Sequence, residues 1–139
     1  MMCRQVDVPT MFEDPDGPIE RYAWGEYRIH GRVHRWDVMV TGNIGPAVEV
    51  APWRERRDLE RVPHLLIPAM VEPALVLGPE VLIVGTGAMG ALRVDRAMVD
   101  SIEVEGVRLV VEPTPRACGT FNRLFGEGRR VVALLHGTC

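Results

Sequence analysis

The chain has 139 residues, 47% of them hydrophobic, and a formal net charge of −3 at pH 7. That size and apolar content suit one ordinary domain able to bury about two-thirds of its unfolded surface, and they exclude wholesale disorder. The negative charge argues against a general nucleic-acid binder, and no stretch reaches the ~20 apolar residues of a membrane helix.

Residues 1–18 read as a flexible leader, acidic and punctuated by Pro15, Gly17 and Pro18, without the apolar core of a signal peptide. Residues 19–139 read as a single α/β domain. Tyr22, Trp24, Tyr27 and Ile29 form a strand-like run, His30-Gly31 a turn, and Val33 to Val40 a returning strand rich in β-branched and aromatic residues. Thr41 to Pro46 is a loop by its Gly, Asn and Pro content, and Ala47 to Val50 a further short strand. Between Pro52 and Pro79 the pattern is poor. Pro63 is expected to open a short helix through His64, Leu65, Leu66 and Ile67, which Pro68 and Pro73 kink or end.

The second half is clearer. Val81-Leu82-Ile83-Val84 is a continuous apolar run, as in a strand buried on both faces. Val94, Met98 and Ile102 then recur at helical spacing up to Glu105, with Gly106 placed to end the helix. Val107 to Val111 is a second buried strand. Thr114-Pro115 opens a second helix, Thr as N-cap and Pro at the first position, with Ala117, Phe121, Leu124 and Phe125 as its apolar stripe. Val131 to Leu135 is the third strand. Strand–helix–strand–helix–strand at this spacing predicts parallel strands joined by right-handed crossovers, in a three-layer α/β fold with an N-terminal β-hairpin part that extends the sheet or covers an edge.

All sixteen basic residues are Arg, which excludes a Lys Schiff base or Lys general base. Arg54, Arg56, Arg57 and Arg61 cluster and read as a solvated face ahead of a phosphate or partner site. Cys3, Cys118 and Cys139 have neither a disulfide framework nor a zinc spacing, so a reducing cytoplasm is the expected home.

In an open parallel sheet, ligands bind at the carboxyl ends of the strands. Here those ends carry Gly85-Thr86-Gly87, Glu112-Pro113-Thr114-Pro115 and His136-Gly137-Thr138-Cys139. They read either as tight turns or as a crevice of hydroxyls and N–H groups, and the helix beginning near Pro115 would favour a small anionic or polar ligand there. Gly85-x-Gly87-x-x-Gly90 matches a dinucleotide fingerprint, but the helical pattern starts only near Val94. A fingerprint helix must begin within the glycines to face the pyrophosphate. No cofactor is therefore assigned. His136 with Cys139 as base and nucleophile would need a sharp turn at Gly137, and the bland reading of a bonded histidine at the sheet edge is preferred. Cys118 reads as a buried filler. His30 and His34 flank a turn rather than a helix, so no metal site is assigned. Trp24, Trp36 and Trp53 read as core or hairpin residues ahead of an apolar groove.

From about Ile19 to Cys139, several motifs occur in order: Val81-Leu82-Ile83-Val84-Gly85-Thr86-Gly87, Val111-Glu112-Pro113-Thr114-Pro115, Phe121-Asn122 before Leu124, and Gly128-Arg129-Arg130-Val131-Val132-Ala133-Leu134-Leu135-His136 with Thr138-Cys139. In these the chain resembles a widespread family of small α/β proteins, mostly of unknown function. That family includes the mitochondrial assembly factor of respiratory complex I and the adipogenesis-associated protein of animals. The resemblance implies a β-rich N-terminal part on a three-layer α/β core. Phe121 stands where the family usually has Tyr, which would remove a hydroxyl from the crevice. Gly137 replaces a larger residue, which would open space beside His136.

Two functions follow. The resemblance implies a non-catalytic assembly or protein-interaction factor, with an unknown protein partner docking near Trp53 to Arg61. The alternative is a small-molecule binder or enzyme, for instance in a bacterial biosynthetic pathway, with His136 as acid or base and Thr86, Gly87, Thr114, Asn122 and Thr138 binding the ligand. Homo-oligomerisation stays open.

Overall fold

A computed structural model describes residues 9–53 and 64–139 of the chain. The first four strands form one antiparallel sheet in chain order: β1 (Phe12–Glu13), β2 (Ile19–Ala23), β3 (Glu26–Ile29) and β4 (Arg32–Arg35). Trp24-Gly25 and His30-Gly31 make its two tight turns, and Gly25, His30 and Gly31 all take positive φ there. Positive φ is the usual demand of a two-residue hairpin turn. Tyr22 and Tyr27 face each other across β2 and β3 with ring centroids 5.0 Å apart, both fully buried.

The second sheet has the order β6-β5-β9-β7-β8. Its members are β5 (Val38–Gly42), β6 (Glu49–Pro52), β7 (Val81–Gly85), β8 (Arg108–Glu112) and β9 (Val131–Leu135). β7 runs parallel to both β9 and β8, while β5 is antiparallel to β9 and to β6. Every residue of β7 and β9 is buried, which is why both read as unbroken apolar runs. Three helices lie among the described residues: α1 (Pro68–Leu75), α2 (Arg96–Val104) and α3 (Thr114–Gly126). One core joins β2 and β3 to α3 and to one face of the five-stranded sheet, through Tyr22, Tyr27, Phe121, Ile83 and Leu135. A second core lies on the other face, where Met70 and Ala74 of α1 and Met98 and Ile102 of α2 pack on Leu82 and Leu134.

The mixed α/β architecture and the three neighbouring parallel strands agree with the sequence reading. Four local expectations are corrected. Phe12 and Glu13, placed in the leader, pair with Tyr22 and Arg21. The single strand expected over Val33 to Val40 is two, because the chain leaves one sheet at Trp36 (φ +70°) and Asp37 and enters the other at Val38. Pro68 opens a helix instead of breaking one, since the first helical position needs no N–H, and α1 continues through Pro73. Thr114 is not the N-cap of α3. Pro113 holds that position, and the Thr114 side chain is committed elsewhere. Pro63 and Arg54 to Arg61 lie outside the described residues, as do Met1 to Val8.

Candidate functional site

The ends of β7, β8 and β9 meet at one edge of the sheet, and Thr86, Thr114 and His136 are neighbours there. Their polar groups bond mainly to one another. The Thr114 hydroxyl donates to the His136 carbonyl at 2.6 Å and accepts the Gly87 N–H at 2.9 Å. His136 N–H donates to Gly85 O at 3.0 Å. The Thr86 N–H and hydroxyl both donate to Glu112 O, at 2.8 and 3.2 Å. Thr114 is fully buried, and His136 and Thr86 retain only 3% and 6% exposure. The expected crevice of open hydroxyls is therefore a closed hydrogen-bonded knot.

The glycine loop is occupied by the chain itself. Ala88 N–H donates to Thr138 O at 2.6 Å, and Met89 and Ala91 donate to the main-chain oxygen of Cys139 at 2.9 and 3.1 Å. A Cβ on Gly87 (φ +108°) would lie 2.3 Å from the Cys139 carbonyl carbon, so only glycine admits this approach. The first N–H of α3, on Thr114, is taken by Gly87 O at 3.0 Å, and Pro115 has none to offer an anion. α2 begins at Arg96, six residues beyond Gly90, so the glycines do not form a dinucleotide loop.

Beneath the knot lies a buried polar cluster centred on Asp37, a residue the sequence reading missed. Asp37 Oδ1 is 2.9 Å from His136 Nδ1 and accepts the Gly137 N–H at 2.9 Å. The Tyr22 hydroxyl donates to Gly137 O at 2.7 Å, as does Gly25 N–H at 2.7 Å. The Tyr27 hydroxyl donates to Leu135 O at 3.3 Å. Burial pushes the Tyr22 phenol well above its ordinary range, with Cys118 and Asp37 adding to the shift, so it stays a donor. The His64 ring stands edge-on to the His136 ring at 6.1 Å. Asp37 carried one legible signal: it is a lone acid directly before a strongly apolar strand.

The remaining residues fall elsewhere. Asn122 sits on the third turn of α3, about 12 Å of helix from Thr114, and holds β2. Its Oδ1 accepts the Ile19 N–H at 3.0 Å, and its Nδ2 donates to Ile19 O at 2.8 Å and to Asp14 Oδ2 at 3.0 Å. Phe121 is a core residue against Gly42, so no hydroxyl is missing from the strand ends. Gly137 opens no space beside His136: a Cβ there would lie 2.0 Å from Trp36 O. Thr138 is half-buried, and its hydroxyl makes no hydrogen bond among the described residues. Cys139 is disulfide-bonded rather than a free nucleophile, and Cys118 is free, buried and held protonated by desolvation. Trp53, expected at a docking surface, is half-buried on α1 and donates its indole N–H to Met70 O at 2.8 Å.

Among the described residues, a groove opens on the far side of the sheet. α1 and α2 leave a groove of about 890 Å³ between them. Val71, Leu75, Met98 and Ile102 line it, with Glu72, Asp100 and Glu105 along it. Val76 and Val104 stand beside it 73% and 85% exposed.

Comparison with known proteins places this geometry. A family model described as "Protein of unknown function (DUF498/DUF598)" matches residues 19–136. The "NADH dehydrogenase [ubiquinone] 1 alpha subcomplex assembly factor 3" of Danio rerio is 36% identical over 66 residues. That match covers 48% of this chain and only 35% of the relative's length. The conserved hypothetical protein PH1505 from Pyrococcus horikoshii OT3 superposes with a TM-score of 0.72 at 27% identity, over 87% of this chain and 98% of that one. A Bordetella parapertussis protein gives 0.65 at 26% identity, over 87% and 95%.

Proposed function

From the premise that the chain belongs to the DUF498/DUF598 family, we propose that it is a non-catalytic assembly or protein-interaction factor that docks its partner in the α1/α2 groove. One contrast carries this reading. The polar groups at the strand ends are spent on the chain itself, while among the described residues apolar surface stays open between two helices. A surface of this kind, rimmed by polar residues, suits a protein ligand. The acidic residues along the groove favour a partner segment with apolar anchors and basic flanks. A relative named as an assembly factor points the same way.

The test compares proteins crosslinked in cells to the wild type with those crosslinked to a Val76→Asp/Val104→Asp double variant. Both side chains are exposed, so the variant keeps its fold. Loss of partners by at least tenfold is expected; equal recovery overturns the groove reading. We propose a cytoplasmic location, which subcellular fractionation tests; recovery of the protein outside the cytoplasmic fraction overturns it.

A second reading rests on one observation. An imidazole oriented by a buried carboxylate is the arrangement of a general acid or base. It would need the Thr138 and Cys139 main chain to leave the glycine loop and admit a small polar ligand to His136, Thr86, Gly87, Thr114 and the Thr138 side chain. A His136→Ala variant that folds and still supports the cellular role removes it.

A further inference from the structure

The five-stranded sheet ends on β8, which pairs only with β7 among the described residues. Along β8 the inward groups are fixed: Arg108 N–H donates to Glu80 O, and Glu112 O accepts the Thr86 N–H. In a parallel ladder every second residue points both its N–H and its C=O at the neighbour. Arg108, Val110 and Glu112 therefore face β7, and Leu109 and Val111 present their N–H and C=O outward. An open edge of this kind is a template for another strand.

We propose that β8 pairs with β8 of a second copy, antiparallel about a twofold axis through Val110. This goes beyond the groove reading and does not depend on it. The register follows from hydrogen bonding and charge together. Centred on Val110, Leu109 of one copy lies opposite Val111 of the other, so the outward groups of the two residues exchange four hydrogen bonds across the dimer. The same register sets Arg108 opposite Glu112 twice. Those are non-hydrogen-bonded pairs, in which side chains come closest. Arg108 has no ion-pair partner within the chain among the described residues. Glu112 keeps one oxygen on Thr120 at 2.6 Å and the other 3.7 Å from Arg116. A register centred on Val111 would set Leu109 opposite Pro113, which has no N–H to give, and one centred on Leu109 would leave both charges unmatched. The strand Arg-Leu-Val-Val-Glu is thus self-complementary in one register.

Analytical ultracentrifugation of the full chain over a range of concentrations tests this. The wild type should show a monomer–dimer equilibrium. Arg108→Glu and Glu112→Arg should each weaken dimerisation at least tenfold, and the Arg108→Glu/Glu112→Arg double variant should restore it, because the swap recreates both pairs. Val110→Cys gives a second readout independent of charge. Opposed residues in such pairs have Cα atoms about 4.5 Å apart, within disulfide reach, so mild oxidation should yield a covalent dimer joined at position 110. A wild type that stays monomeric, together with a Val110→Cys variant that forms no crosslink, overturns the proposal. So does a dimer indifferent to both single charge reversals.

Discussion

The carboxylate of Asp37 and the imidazole of His136 stand 99 residues apart in the chain and 2.9 Å apart in the interior. Asp37 sits where the chain passes from the hairpin sheet into the larger sheet, and His136 directly follows β9. Their contact, shared with the Gly137 N–H, ties that crossover to the end of the last strand. Asp37→Ala removes the acceptor for both groups and leaves them buried. Hydrogen bonds to a charged group contribute about 1.5–3 kcal/mol each, so a loss of at least about 3 kcal/mol is expected in urea unfolding. Asp37→Asn keeps an acceptor oxygen and should lose markedly less.

Asn122→Ala should be comparably costly. It releases both main-chain groups of Ile19, which is itself fully buried. Two orphaned backbone groups predict a loss of about 2–4 kcal/mol. Hydrogen exchange should locate the opening in β1 and β2 rather than in β7 or β9.

Tyr22 gives a pH dependence. Its phenol is raised in the folded state by burial, from an ordinary value of 10.0. Its contribution is therefore whole below pH 10 and is lost as pH climbs, because the unfolded chain ionises first. Tyr22→Phe should flatten the alkaline fall in stability measured between about pH 7 and 11. At neutral pH it should cost only about 1 kcal/mol, since Gly137 O keeps the Gly25 N–H.

Cys118 is fully buried, and desolvation keeps its thiol protonated. Alkylation by iodoacetamide at about pH 8, read by peptide mass mapping, should leave Cys118 unmodified in the native protein. It should become labelled only in denaturant, because reaction requires an exposed thiolate.

Gly137→Ala should prevent normal folding. The added methyl falls 2.0 Å from Trp36 O and 3.0 Å from the Tyr27 hydroxyl. Backbone on one side leaves little room to relax, and loss of more than about 3 kcal/mol is expected. Loss of soluble expression, or a thermal midpoint well below the wild type, checks this.

The sequence located the parallel strands well, for a plain reason. β7 and β9 are buried on both faces, and only continuous apolar runs can be. The spacing of Met98 and Ile102, and of Ala117, Phe121 and Leu124, likewise marks the buried faces of α2 and α3. The N-terminal half was less legible. Alternation shows where a strand lies but not which sheet it joins, so the break at Trp36-Asp37 between two sheets stayed hidden.

What the sequence settled alone is the order of elements from β7 to β9 and the meeting of Thr86, Thr114 and His136 at one edge, since adjacent parallel strands must end together. What the tertiary structure decided is whether those groups face a ligand or each other. A threonine or asparagine reads the same either way, because its donors and acceptors are satisfied by whatever lies across a few ångströms of space. Here the Thr114 hydroxyl meets Gly87 and His136, and the Asn122 amide meets Ile19. Those partners are between 22 and 103 residues away in the chain, a distance over which local pattern carries no information.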